Sequence, residues 1–268
     1  MHLTLSKTAA SSVAVLTIAL AGALAGTAVA ATKSASAASA KLPAKLPDWE
    51  GIWQKQANKD SNYDWHVPDM TKEHPPLTPK YQAIYDQRMA DRAKGRATAD
   101  PQANCVPPGM PRVIRQPYPR EFVVTPHVVY ILNEQDHAGT RRIFINGKHP
   151  PAEELDPTFL GHSIGHWEKG GVLVVDTVGI RGDTVYDTTG IPHSDKLRVT
   201  ERIWRKGDMM YDEATTIDPE SLTKPWTITF DYKNMASEGW HIDEYICSQN
   251  NRNGSDASGA TGTGAKKP

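Results

Sequence analysis

Residues Thr158 to Gly179 read TFLGHSIGHWEKGGVLVVDTVG, two alternating stretches joined by Lys169-Gly170-Gly171. Ahead of the turn, Phe159, Gly161, Ser163, Gly165 and Trp167 share one face, and Leu160, His162, Ile164, His166 and Glu168 the other. Behind it, Val172, Val174 and Asp176 alternate with Leu173, Val175 and Thr177. A period of two on both sides of a glycine turn predicts a β-hairpin. Neither face of the first strand is purely apolar, which suits the wall of a small barrel with a partly polar, ligand-sized interior.

The same alternation runs outward from the hairpin. Trp49 to Trp53, Arg120 to Pro126, His127 to Asn133, Arg141 to Asn146, Leu197 to Arg205, Met209 to Ile217, Trp226 to Tyr232 and His241 to Cys247 read as further short strands. Turns such as Asn146-Gly147 and Lys206-Gly207-Asp208 part them. Strand following strand predicts a mainly β fold, an antiparallel up-and-down barrel. One helix interrupts the series at 79–94, with Thr78 as N-cap, Pro79 at the first helical position, Gly95 as the stop and an apolar stripe of Tyr81, Ile84, Tyr85 and Met89. It is expected to flank one side or end of the barrel. Residues 100–119 hold six prolines and little periodicity, which predicts a long irregular connection.

The ends of the chain differ in composition. Lys7, an apolar run from Val13 to Leu24 and Ala28-Val29-Ala30 form the pattern of an export signal over residues 1–30, cut after Ala30. The run falls short of the roughly 20 residues that span a bilayer, so a periplasmic or secreted protein without stable membrane insertion is expected. Residues 31–45 are rich in Ala, Ser and Lys and residues 249–268 in Asn, Gly, Ser and Thr, which predicts flexible ends around a single barrel domain, 46–248. The formal charge of −1 becomes −2 without Lys7, and no basic face is evident, which argues against nucleic acid as a partner. Cys105 and Cys247 lie near the two ends of the core, and export would allow them to form a disulfide.

Gly161-His162-Ser163-Ile164-Gly165 matches G-x-S-x-G, the nucleophile elbow of α/β-hydrolases. That elbow requires a helix straight after the serine, whereas strand and glycine turn follow here, so Ser163, Asp176 and His193 are not read as a triad. On a strand, His162 and His166 stand about 13 Å apart, too far to share one zinc without ligands from neighbouring elements such as His127, His149 or His193. No metal site and no cofactor is assigned. Charged residues recur inside strands: Arg141-Arg142, Glu168, Asp176, Arg198, Glu201-Arg202, Asp231 and Glu244. Those that point inward must be matched, as an ion-pair network or as a site for a polar ligand. Arginine grips a carboxylate through two parallel hydrogen bonds, and histidine beside a carboxylate supplies acid–base chemistry near neutrality.

In order, Trp49-Glu50-Gly51-Ile52-Trp53, Cys105-Val106-Pro107-Pro108-Gly109-Met110-Pro111-Arg112, Gly147-Lys148-His149-Pro150, Gly161 to Glu168, Leu173 to Thr177, Pro192-His193-Ser194 and Glu244-Tyr245-Ile246-Cys247 resemble a large group of secreted bacterial proteins, mostly of unknown function. The resemblance covers nearly the whole core and implies a lipocalin-type, or calycin-like, barrel. It also implies a link to the breakdown of plant-derived aromatic compounds, with cofactor-free lyase or decarboxylase chemistry, but it carries over no catalytic residue. The hairpin turn departs from that group, Lys169-Gly170-Gly171 replacing an acidic turn, and is set aside as a site.

The expectation is a cofactor-independent lyase, such as a decarboxylase, for a small aromatic carboxylic acid. Arg142 or Arg202 would bind the carboxylate, and His162, His166 or His193 would move the proton. Glu168 or Glu201 would orient the imidazole, Trp167 and Tyr130 would contact the ring, and Ser163 and Asp176 would also touch substrate. A non-catalytic binding barrel for a small hydrophobic or aromatic ligand and a metal-assisted hydrolase are the alternatives. The oligomeric state is left open.

Overall fold

In the computed structural model, which describes residues 42–43, 45–56, 73–96, 100–135 and 139–247, the alternating segments close into one barrel. The expected export signal, almost all of the linker and the tail from 249 lie outside the described residues. Nine strands follow each other around the barrel in chain order. They are β1 (Ile52–Lys55), β2 (Arg120–Val124), β3 (Val128–Asn133), β4 (Arg141–Ile145), β5 (His162–Glu168), β6 (Val172–Val178), β7 (Arg198–Lys206), β8 (Met209–Ile217) and β9 (Trp226–Asn234). β9 pairs with β1, which leaves no free edge. That closure explains one correction: His241 to Cys247, expected as a strand, has no edge to join and runs as irregular chain.

A second correction concerns topology, because the sheet is mixed rather than purely up-and-down. β4 and β5 are parallel, Ile143 opposite Ser163, while the other neighbours are antiparallel. Asn146-Gly147, expected to start a hairpin, does bend the chain, with Asn146 at φ +56°. Pro150 and Pro151 follow, however, and without N–H groups they cannot pair back along β4. The chain crosses back through 146–161 and enters β5 in the direction of β4, with Asn146 N donating to Gly165 O.

Each strand turns one face inward. Trp53, Phe122, Ile143, Leu173, Ile203, Met210, Phe230 and Tyr232 are among the apolar side chains that fill the barrel. Set among them are Lys55, Arg120, Arg141, Ser163, Thr177, Glu201 and Asp212, all buried. Arg141 grips Glu201 with both terminal nitrogens and also reaches Thr177 Oγ1 at 2.8 Å and Ser163 Oγ at 3.3 Å. Arg141 and Glu201 are thus matched inside the barrel as an ion pair, one of the two arrangements that inward charges allow.

The helix expected at 79–94 is α1 (Pro79–Ala93). Thr78 holds the cap position, but its hydroxyl donates to Glu220 O, and Ile84 is 37% exposed, so Tyr81, Tyr85 and Met89 form the docked face. Residues 100–119 are not irregular throughout: they contain a short helix, α2 (Arg112–Arg115), all four residues of which are buried. Lys55 Nζ and Tyr232 Oη donate to Ile114 O and Arg120 Nη2 to Val113 O, so α2 plugs the barrel where β1 ends and β2 begins. Its arginines tolerate burial because Asp100 holds Arg112 and Asp187 lies 3.9 Å from Arg115. Cys105 and Cys247 form the expected disulfide. No helix of the described residues is long and apolar enough to cross a membrane.

Candidate functional site on the outer wall

The residues singled out from sequence fall in three separate places. Ser163 and Glu201 lie inside the barrel, tied to Arg141, so the serine of the G-x-S-x-G match is a structural hydroxyl. Trp167 shares their strand face and packs edge-on against Trp49 at 5.1 Å. His193 is buried among the β6–β7 connection. Its Nδ1–H donates to Ser194 O at 2.8 Å, and its Nε2 lies 2.7 Å from Thr184 Oγ1. Burial holds its pKa below the ordinary value, which suits a neutral packing residue.

Tyr130, Arg142, His162, His166, Glu168, Asp176 and Arg202 all occupy the outward positions of β3 to β7. Glu168 and Arg202 satisfy each other, with Arg202 Nη2 2.7 Å from Glu168 Oε2. The guanidinium holds that carboxyl below its usual range. His166 is half exposed, its Nε2 4.0 Å from Glu168 Oε1, beyond hydrogen-bond reach. Arg202 is therefore committed, and Glu168 does not orient an imidazole.

His162 is in different company. Its Nδ1 lies 2.9 Å from His149 Nδ1, while His149 Nε2 lies 3.1 Å from Asp176 Oδ2. Arg198 donates to both oxygens of Asp176 at 2.6 and 2.7 Å. Burial pushes the Asp176 carboxyl up, but the bonds from Arg198 and His149 outweigh it and leave the pKa below the ordinary value. Burial and the neighbouring His149 both lower the pKa of His162, keeping it neutral. One set of tautomers satisfies every contact: His149 Nε2–H donates to ionised Asp176, and His162 Nδ1–H donates to His149 Nδ1. The lone pair of His162 Nε2 is then left without a partner among the described residues.

The strand register places Arg142, Tyr130 and Phe144 on the same stretch of wall as His162. Arg142 precedes Ile143 as His162 precedes Ser163, its parallel partner, so the two side chains leave adjacent strands at one level. Tyr130 is the register partner of Arg142, and Phe144 stacks on His162 with centroids 5.4 Å apart. Arg142 is exposed and has no ion pair among the described residues. Alongside, a groove of about 270 Å³ runs over Ile164 and Val174, between Gly147, His166 and Asp176.

Sequence reasoning found His162, Arg142 and Asp176 but missed the residue that links two of them. His149 lies in the crossover loop; the sequence offered it within Gly147-Lys148-His149-Pro150 and as a possible neighbouring metal ligand, but not as a partner that orients His162. Among the described residues, no group of three or more His, Cys, Asp or Glu is arranged to hold a metal ion. No protein family, curated protein or solved structure matches the chain.

Proposed function

We propose that the protein is a cofactor-independent lyase that acts by acid–base chemistry on a small aromatic carboxylic acid, in the periplasm or outside the cell. The observation that carries this reading is the bonded chain Arg198, Asp176, His149, His162, which ends in a neutral imidazole with an open lone pair. Arg142 supplies the grip on a carboxylate, and Tyr130 and Phe144 supply apolar surface for a ring. The choice of an aromatic acid rests on the resemblance of the ordered motifs to secreted lipocalin-type proteins.

For a phenolic acid, His162 Nε2 takes the phenol proton and the freed electron pair moves into the ring. The ring carbon that bears the carboxylate takes a proton from water, leaving a hydroxide that combines with the released carbon dioxide as bicarbonate, and its bond to the carboxylate breaks. Carbon dioxide leaves, the bonding pair restores the ring, and His162 returns its proton to the phenolate oxygen. While the imidazole holds that proton, Asp176 offsets the charge through His149.

The test is incubation of metal-free protein with a panel of phenolic and aryl carboxylic acids, with mass spectrometry of substrate loss and carbon dioxide. Turnover should survive a chelator, fall by about 10²-fold or more in His162→Ala, and show a raised KM in Arg142→Ala. Saturable binding with every compound returned unchanged would replace the lyase with a binding barrel. Activity that appears only with added metal would favour the metal-assisted hydrolase.

A further inference from the structure

After β9 the chain runs through residues 235–247 and ends, among the described residues, at the disulfide to Cys105. Closure of the barrel left this segment without a strand to pair with, yet it is held at three points. Met235 N donates to Ile52 O, Asp243 N to Glu134 Oε2 at 3.4 Å, and the Tyr245 ring packs on Tyr118 with centroids 5.4 Å apart. Between this strap and the barrel lies a pocket of about 560 Å³.

The chemistry of the pocket is one-sided. Trp240 stands at its rim with 43% of its surface exposed, and Tyr118 forms a second aromatic wall. Glu134 and Asp243 supply two carboxylates, while the lining contains no lysine or arginine. His241 Nε2 lies 2.9 Å from Asp243, and Glu134 has no ion pair among the described residues. Gln54 uses its Nε2 on Pro117 O at 2.8 Å and leaves Oε1 without a donor. The Tyr118 hydroxyl is pushed up to about 12 by burial, by Tyr245 and by the charge of Glu134, which places that negative charge close to the aromatic wall.

Acceptors and aromatic faces without a lysine or arginine among them repel anions and select molecules that donate hydrogen bonds and carry positive charge. A sugar would want donors as well as acceptors, and few are on offer. The volume exceeds that of a single ammonium ion and suits an alkyl chain. We infer that the strap pocket binds a small organic cation, an alkyl di- or polyamine, with its ammonium groups at Glu134 and Asp243 and its chain along Trp240 and Tyr118. The site does not involve the His162 wall and stands or falls apart from the lyase reading.

Calorimetric titration with 1,4-diaminobutane tests it, with 1,4-butanediol and cellobiose as neutral controls. Saturable binding of the diamine is expected, weakened about tenfold or more in both Glu134→Gln and Trp240→Ala, weakened by salt, and unchanged in His162→Ala. The diol and the sugar should give no saturable heat. Equal binding of diamine and diol, preference for the sugar, unaltered diamine binding in both pocket variants, or no saturation at all would each overturn the assignment. Melting temperatures of the variants guard against misfolding, and Asp243→Asn replaces Glu134→Gln if that variant does not fold.

Discussion

Asp212 shows how the barrel tolerates charges in its interior. It is buried, and Oδ1 has no hydrogen-bond partner among the described residues. Burial first and the charge of Glu201 second push its pKa up to about 8, against the pull of Arg120, Arg141 and Lys55. Lys55 is driven the other way, well below its ordinary value, by burial and by Arg120. Asp212 can thus lie buried and protonated near neutral pH, while Arg141 and Glu201 carry the fully formed ion pair. A carboxyl whose pKa is raised on folding stabilises the fold below its unfolded pKa, and that contribution is lost as pH rises towards the folded value. Stability measured by denaturant titration should therefore fall between about pH 4 and pH 8, by up to about 1.4 kcal/mol per pH unit, and Asp212→Asn should flatten that slope. A slope unchanged in the variant would assign it to other groups. Alternation made Glu201 legible as a residue that could face inward, but not which face was inner. That depended on Thr177 and Val199, whose burial fixes the parity of β6 and β7. His149 was harder to see, because a loop residue has no period and its partners lie 13 and 27 positions away.

At the scale of elements, the β5–β6 hairpin was readable because a short glycine turn and two alternating runs agree with each other. The β4–β5 step was not, because Asn-Gly is a local hairpin signal and only the prolines beyond it forbid the return strand. Gly165 makes the parallel neighbour feasible: a Cβ there would lie 2.9 Å from Ile143 Cγ2 and 3.0 Å from Val174 O. Gly165→Ala should cost about 1–3 kcal/mol in chemical denaturation, since backbone on one side cannot yield. A neutral substitution would mean that β4 and β6 are less tightly packed around it. α2 escaped notice because its arginines and the prolines that flank it look like surface loop, and only Asp100 and Asp187 beside those arginines allow their burial. The disulfide closes a loop with a sequence separation of 142 residues. Cys105→Ser with Cys247→Ser should lower stability by about 2–5 kcal/mol, read from the denaturation midpoint. An unchanged midpoint would mean that the strap adds nothing to the stability of the barrel.

For the whole molecule, closure leaves the bonded chain Arg198, Asp176, His149, His162 on the outside of the barrel. Trp53, Phe230, Tyr232 and the Arg141–Glu201 ion pair occupy the inside of the barrel, and α2 packs where β1 ends and β2 begins. The chemistry-bearing residues that remain free to act stand on the wall, where the crossover loop lays His149 over β5 and β6. His149 and His162 form one coupled unit through their Nδ1 contact. NMR titration of the His162 imidazole, in the intact chain and in His149→Ala, tests it without assuming a substrate. His162 should protonate below the ordinary histidine value of about 6.5 and move up towards it when His149 is removed. An ordinary value in the intact chain, unmoved by His149→Ala, would contradict the relay and the acid–base function built on it.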